Sequence, residues 1–162
     1  MALDNLEVLF DDLGLMPTEE QLQEMLGCFM DDFVHSPFKI KDCNVKVIME
    51  QSWHKNFRGM PETFVHLITR ESKYTGRREF DHERANRIHW VKQILVNHTS
   101  PKVKYFEYAD EKGVLKYHFW YEEGSFIVIL KPVQPDLLVV TAFCIDEFEK
   151  QRYRKRYNAF RR

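Results

Sequence analysis

Residues 103–146 read VKYFEYADEKGVLKYHFWYEEGSFIVILKPVQPDLLVVTAFCID, and how they are read decides the fold. Four segments alternate or run apolar and are rich in β-branched and aromatic residues: VKYFEY (103–108), LKYHFWY (115–121), FIVILKP (126–132) and LLVVTAFCID (137–146). The connections ADEKG, EEGS and QPD carry Gly, Asp or Pro, which supply turn geometry. Short links of this kind join neighbouring antiparallel strands. The expectation is a four-stranded antiparallel sheet.

On its C-terminal side stands EFEKQRYRKRYNAFRR (147–162), a basic helix with Phe148, Tyr153, Tyr157 and Phe160 expected toward the core. On its N-terminal side, DHERANRIHWVKQILVN (81–97) has the clearest helical pattern in the chain. Asp81 can cap it, Glu83 suits its first turn, and Ile88, Val91, Ile94 and Leu95 form a buried stripe. ESKYTGRREF (71–80) is a polar loop around Gly76. FVHLITR (64–70) fits two patterns: as a strand it aligns Phe64, His66 and Ile68, and as a helix it sets His66 and Arg70 one turn apart on one face.

Further upstream, WHKNFRGMPE (53–62) reads as a loop, and FKIKDCNVKVIME (38–50) as two short strands around Asp42–Asn44. PTEEQLQEMLGCFMDDF (17–33) opens with Pro17 and acidic residues and repeats apolar side chains at Leu22, Met25, Leu26 and Phe29, which predicts a helix. Helices followed by a meander define an α+β class. Residues 1–60 are expected to be a helical extension sharing the core of a domain spanning 61–162.

A chain of 162 residues buries roughly 70% of its unfolded surface, enough for one core. Its 44% hydrophobic and 30% charged residues suit a soluble globular domain rather than a disordered chain. The longest apolar runs, FIVIL and LLVV, are far short of the ~20 residues that span a bilayer, so no membrane partner is expected. The acidic start MALDNLEVLFDD lacks the basic region of a secretion signal, and Cys28, Cys43 and Cys144 are an odd, widely spaced set. Both point to a cytoplasmic protein without disulfides.

Charge is split along the chain. Residues 1–60 carry 5 Lys and Arg against 11 Asp and Glu, a balance of −6, and residues 61–162 carry 19 against 14, a balance of +5. A basic part of this kind suits a polyanion, and the acidic segment could regulate it by occupying or bordering its anion site, or simply co-fold with it.

The basic residues cluster around one histidine. His66 sits between apolar residues, with Arg70, Arg77 and Arg78 close behind and Arg84 and Arg87 at the start of the 81–97 helix. Arg84 shares a stripe with Ile88, Val91 and Leu95, so it stands near the N-terminal end of the buried face, where helix amides favour an anion. Guanidinium groups there bind phosphate in bidentate fashion, or pair with Asp81 or Glu83. An imidazole titrating near neutrality is the usual proton acceptor or donor, although a histidine on an apolar face can equally be a hydrogen-bonded core residue. Thr141 is the polar exception in LLVVTAFCID, expected on one face with Val139 and Phe143. It serves either as a positioning hydroxyl or as an ordinary strand residue.

Tyr105, Tyr108, Tyr117, Trp120 and Tyr121 could stack unpaired bases, or pair with one another across strands. HExxH, CxxC, GxSxG and a Gly-rich phosphate loop are all absent, so neither a metal nor another cofactor is expected.

TFVHLITR (63–70), the run from Arg77 to Trp90, the strands KYFEY, YHFWY and FIVILKP, and VTAFCID (140–146) with its basic helix resemble phage-associated barnase/EndoU/colicin/RelE-like (PBECR-type) nuclease domains. The resemblance covers residues from about 60 to the end. It implies helices packed on a four-stranded antiparallel sheet and a toxin-like, metal-independent endoribonuclease acting on the exposed sheet face. RNA, single-stranded or transfer RNA, would be the substrate, with an inhibitor or antitoxin protein as a second partner. RNA supplies its own nucleophile, the 2′-OH, so a base and cations suffice. On this reading His66, Arg70, Arg84 and Thr141 form the catalytic set, with no carboxylate partner for His66 evident. Arg77, Arg78, Arg87, Trp90 and Tyr117 hold the substrate. Two rivals remain: a non-catalytic nucleic-acid-binding module on the same face, and a protein-interaction domain with structural arginines.

Overall fold

The computed structural model describes residues 2–162. A 3-10 turn at Ala2–Asn5 leads through an extended segment to helix α1, Glu19–Met30, which Thr18 starts. The Thr18 hydroxyl accepts from Gln21 N while the Gln21 side chain accepts from Thr18 N, a reciprocal pair that satisfies two orphan donors. Leu22, Met25 and Phe29 are its buried stripe, as the spacing predicts. After a wide helical turn at Asp31–His35 come β1, Lys39–Ile40, and β2, Cys43–Lys46, joined by Lys41 and Asp42 at positive φ.

The ambiguous stretch resolves as both patterns in succession. Helix α2 spans Glu62–Ile68 and β3 takes Thr69–Glu71, pairing antiparallel with β4, Arg78–Phe80. The expected polar loop is therefore the turn of a hairpin. Asp81 then caps α3, His82–Ala85, by accepting from Glu83 N and Arg84 N.

The single helix expected over 81–97 is two helices. Residues 86–89 are tight turns, with Arg87 N bonding Arg84 O and Ile88 N bonding Ala85 O, before α4 begins at Trp90–Val96. Asn86 marks the break. Its side chain bonds both N and O of Phe10 at 2.8 Å, and its carbonyl takes Leu9 N at 3.0 Å, so it clamps the N-terminal segment. The buried stripe survives, with Ile88, Val91, Ile94 and Leu95 all enclosed.

Strands β5 (Val103–Ala109), β6 (Leu115–Tyr121), β7 (Phe126–Val133) and β8 (Asp136–Cys144) form the antiparallel meander. The sheet is larger than four strands. β2 pairs parallel with β8 and carries β1 along, giving a mixed six-stranded sheet in the order β1-β2-β8-β7-β6-β5. Residues before 61 thus enter the same sheet and the same core, where Leu3, Met25, Phe29, Ile40 and Val45 pack with Phe64, Val91 and Phe119.

Helices α1, α2 and α4 cover the inner face of the sheet. Helix α5, Glu147–Phe160, capped by Asp146, lies on the outer face, where Tyr153 joins Phe106, Trp120, Ile127 and Ile129. Its expected core set is half right. Tyr153 is buried and Tyr157 partly so, but Phe148 is 95% exposed and Phe160 reaches only the rim, edge-on to Tyr108. Phe148 is five residues before Tyr153, well off a stripe of 3.6-residue period. Among the described residues no helix is long and apolar enough to cross a membrane, and the three cysteines are free.

Candidate functional site at the β8 edge

The site begins with a bulge. Ile129 faces Thr141 but Leu130 faces Val139, so Val140 is an extra residue in β8. Side-chain parity flips across it. Leu137 and Val139 point into the inner core, whereas Val140 and Phe143 pack on the outer face. Thr141, cross-strand partner of the outer-face Ile129, is therefore opposite to Val139 rather than beside it as the simple alternation predicts.

β2 covers β8 only at Leu137 and Leu138, and α2 and α3 pack along the remainder. This brings the arginines in. Arg84 Nη1 donates to Thr69 O at 2.6 Å, His66 O at 3.3 Å and Thr141 Oγ1 at 3.3 Å. Arg78 donates from Nη2 to Thr69 O at 2.8 Å and His66 O at 3.4 Å, and from Nε to Thr69 Oγ1 at 3.0 Å. Two guanidinium groups thus satisfy the carbonyls at the end of α2, where the helix leaves unpaired acceptors and negative partial charge. Arg78 is a scaffold residue more than a substrate contact.

Arg84 is only partly committed. Its Nε is buried without a hydrogen-bond partner, and Asp81 Oδ2 lies 3.8 Å away. Burial pulls its pKa down to about 10, against the raising effect of Asp81. At neutral pH the group is still a cation.

His66 is half-exposed on α2, and its Nε2 stands 3.4 Å from Glu62 Oε1, one helical turn earlier. Both line a small cavity of about 140 Å³ with Lys131, Val139 and Val140. Burial and then the neighbouring Arg78 push the imidazole pKa below its ordinary value, while Glu62 opposes them. A neutral ring beside a carboxylate and an ammonium can accept a proton. Neither Glu62 nor Lys131 belongs to the set the sequence pattern marks. The Glu62–His66 spacing is visible once 62–68 is taken as a helix, but Lys131 is brought in only by the sheet.

The remaining expected residues disperse. Arg70, with a side chain 68% exposed and Nε 3.9 Å from Asp81 Oδ2, borders a separate cavity of about 370 Å³. There it and Arg84 face Asp81, Glu83, Asp146 and Glu149, a balance unfavourable to phosphate. Arg77 lines another recess with His54 and Lys55. Arg87 donates to Glu83 O at 2.8 Å and lies over the Trp90 ring, away from His66. Trp90 is a core residue, 7% exposed, with its indole N–H bonded to Glu7 O and its ring edge-on to Tyr121 and Phe126. Tyr117 packs edge-on to Tyr105 within the inner core, so neither ring offers a stacking surface beside His66. His89 Nε2 bonds Glu7 O at 2.6 Å.

The acidic segment does not occupy the arginine cluster. Among the described residues, no carboxylate before residue 61 forms an ion pair with Arg70, Arg77, Arg78, Arg84 or Arg87. No group of three or more His, Cys, Asp or Glu among them is arranged to hold a metal ion.

Fold and site together define an α+β domain whose polar residues gather where two helices close an uncovered strand edge. No family model, curated protein or solved structure matches the chain.

Proposed function

We propose that this domain is a metal-independent endoribonuclease whose reacting group is His66. The pairing of His66 Nε2 with Glu62 Oε1 at 3.4 Å, in a cavity shared with Lys131, carries this reading. With Nε2–H directed at Glu62, Nδ1 keeps the lone pair and takes the proton of the RNA 2′-OH. The 2′-oxygen attacks the adjacent phosphorus, the bond to the 5′-oxygen breaks, and water protonates that leaving group. Glu62 stabilises the imidazolium that forms, Lys131 offsets the charge on the phosphorane, and Arg84, bonded to the His66 carbonyl outside the cavity, adds positive potential. Thr141, held by Arg84, is a positioning hydroxyl. The meander β5–β8 under a helical layer supports the resemblance to barnase/RelE-like nucleases, which also motivates RNA as substrate and an inhibitor protein as partner.

The test is incubation of the purified protein with transfer RNA and with an unstructured RNA in EDTA. Fragments ending in 2′,3′-cyclic phosphate are expected, and their absence for both RNAs overturns catalysis. One observation favours a second reading: Arg78 and Arg84 spend most of their donors on backbone carbonyls. A binding module of the same fold would retain salt-sensitive RNA affinity and yield no product.

A further inference from the structure

A larger cavity, about 610 Å³, opens on the outer face between the β5–β6 turn and α5. Tyr108, Asp110, Lys116, His118, Tyr153 and Arg156 line it. Three features distinguish it from an accidental recess. His118 is 5% exposed, and its buried Nδ1 makes no well-formed hydrogen bond, with only the backbone of Lys116 and Phe106 close to the ring, a condition folded proteins avoid unless something else supplies the bond. Its ring is stacked on Phe106 at 4.6 Å and 8°, which fixes its plane. Burial holds its pKa down at about 4, so at neutral pH it is an uncharged hydrogen-bonding group.

The cations are placed differently. Lys116 Nζ is paired with Asp110 Oδ2 at 3.1 Å. Arg156 pairs with no carboxylate among the described residues, and its guanidinium lies over Tyr108 at 4.4 Å and near Tyr153 at 5.4 Å. An unpaired guanidinium over aromatic rings offers a stacking plane and phosphate donors at once.

The cavity also has a defined relation to the His66 site. Phe106, His118, Ile129 and Thr141 are successive cross-strand partners through β5, β6, β7 and β8. His118 therefore sits two strand spacings, about 10 Å, from Thr141, which Arg84 holds. Thr141 and Ile129, which lines this cavity, share the outer face of the sheet.

We infer that this cavity is a nucleotide subsite: the His118 ring meets a base edge, the guanidinium of Arg156, backed by Tyr108, stacks the base, and Arg156 with Lys116 receives its phosphate. The assignment rests on the RNA reading for its biological ligand, but its test does not require cleavage. Titration of the full chain with adenosine 5′-monophosphate, followed by amide NMR, should give saturable shifts at Tyr108, His118 and Arg156. Adenosine alone and inorganic phosphate alone should each bind more weakly. His118→Phe, which keeps the stack on Phe106, and Arg156→Gln, on the surface of α5, should each weaken binding about tenfold, the loss of one good hydrogen bond. Arg156→Gln keeps the test decisive if His118→Phe perturbs the fold. Absence of saturable binding, shifts confined to His66 and Glu62, or wild-type affinity in Arg156→Gln overturns the subsite. RNA that is never cleaved while the nucleotide still binds here removes the nuclease reading and leaves the subsite standing.

Discussion

Arg84 Nη1 donates to Thr141 Oγ1 at 3.3 Å, tying the helix after the β3–β4 hairpin to the outer face of β8 across 57 positions of sequence. The same nitrogen closes the end of α2 through Thr69 O. One side chain therefore joins three elements.

Removing it should cost stability first. Arg84→Met leaves buried carbonyls short of donors, and a loss of about 1–3 kcal/mol is expected in urea unfolding. Thr141→Val should lose about 1 kcal/mol, and a double-mutant cycle between the two should give coupling of at least about 0.5 kcal/mol. Strict additivity would mean the contact is energetically empty.

The imidazole at 118 should make the fold acid-sensitive. Its folded pKa, about 4, lies below the unfolded value near 6.5, so the unfolded chain binds the proton more readily. The stability tied to the neutral ring is fully present above about 6.5 and is lost as pH falls toward 4, by about 3 kcal/mol in total. Chemical denaturation of wild type and His118→Phe at pH 7 and pH 4.5 checks this. Parallel losses in the two proteins would assign the acid sensitivity elsewhere.

Catalysis, if His66 is the base, should fail when that ring is protonated. Its pKa is below the ordinary histidine value, so the acidic limb of kcat/KM should fall at a pH under about 6.5. Glu62 raises that pKa, so Glu62→Gln should move the limb to lower pH while reducing the rate. His66→Ala should lose about 100-fold or more. An unchanged limb in Glu62→Gln would separate the carboxylate from the imidazole.

Gly124 tests packing at the β6–β7 turn. A methyl there would lie 2.6 Å from the Tyr121 ring and 3.0 Å from Trp90, both enclosed by the core. Tyr121 cannot swing away easily, because its hydroxyl bonds Leu3 O at 2.9 Å. Gly124→Ala should lower stability by about 1–3 kcal/mol, read as a drop in melting temperature.

Local chemistry was legible in the sequence wherever neighbours along the chain decide the outcome. The turn residues and apolar alternation of 103–146 announced the meander, Asp81 announced the cap of α3, and helical spacing announced the stripes of α1 and of 88–95. These are interactions within a few residues, so composition and period suffice. The break at Asn86 was hidden because its cause, the backbone of Phe10, is 76 residues away. The bulge at Val140 was hidden as well, since an alternating strand looks the same until its partner's register is known, and it reversed the face of Thr141. Sequence alone established an α+β chain with His66 among arginines. Only the tertiary structure decided that Glu62 and Lys131 share a cavity with that histidine, and that Arg84 bonds its backbone carbonyl, while Trp90 and Tyr117 lie elsewhere, because a site is made by distances across strands and helices that no local pattern encodes.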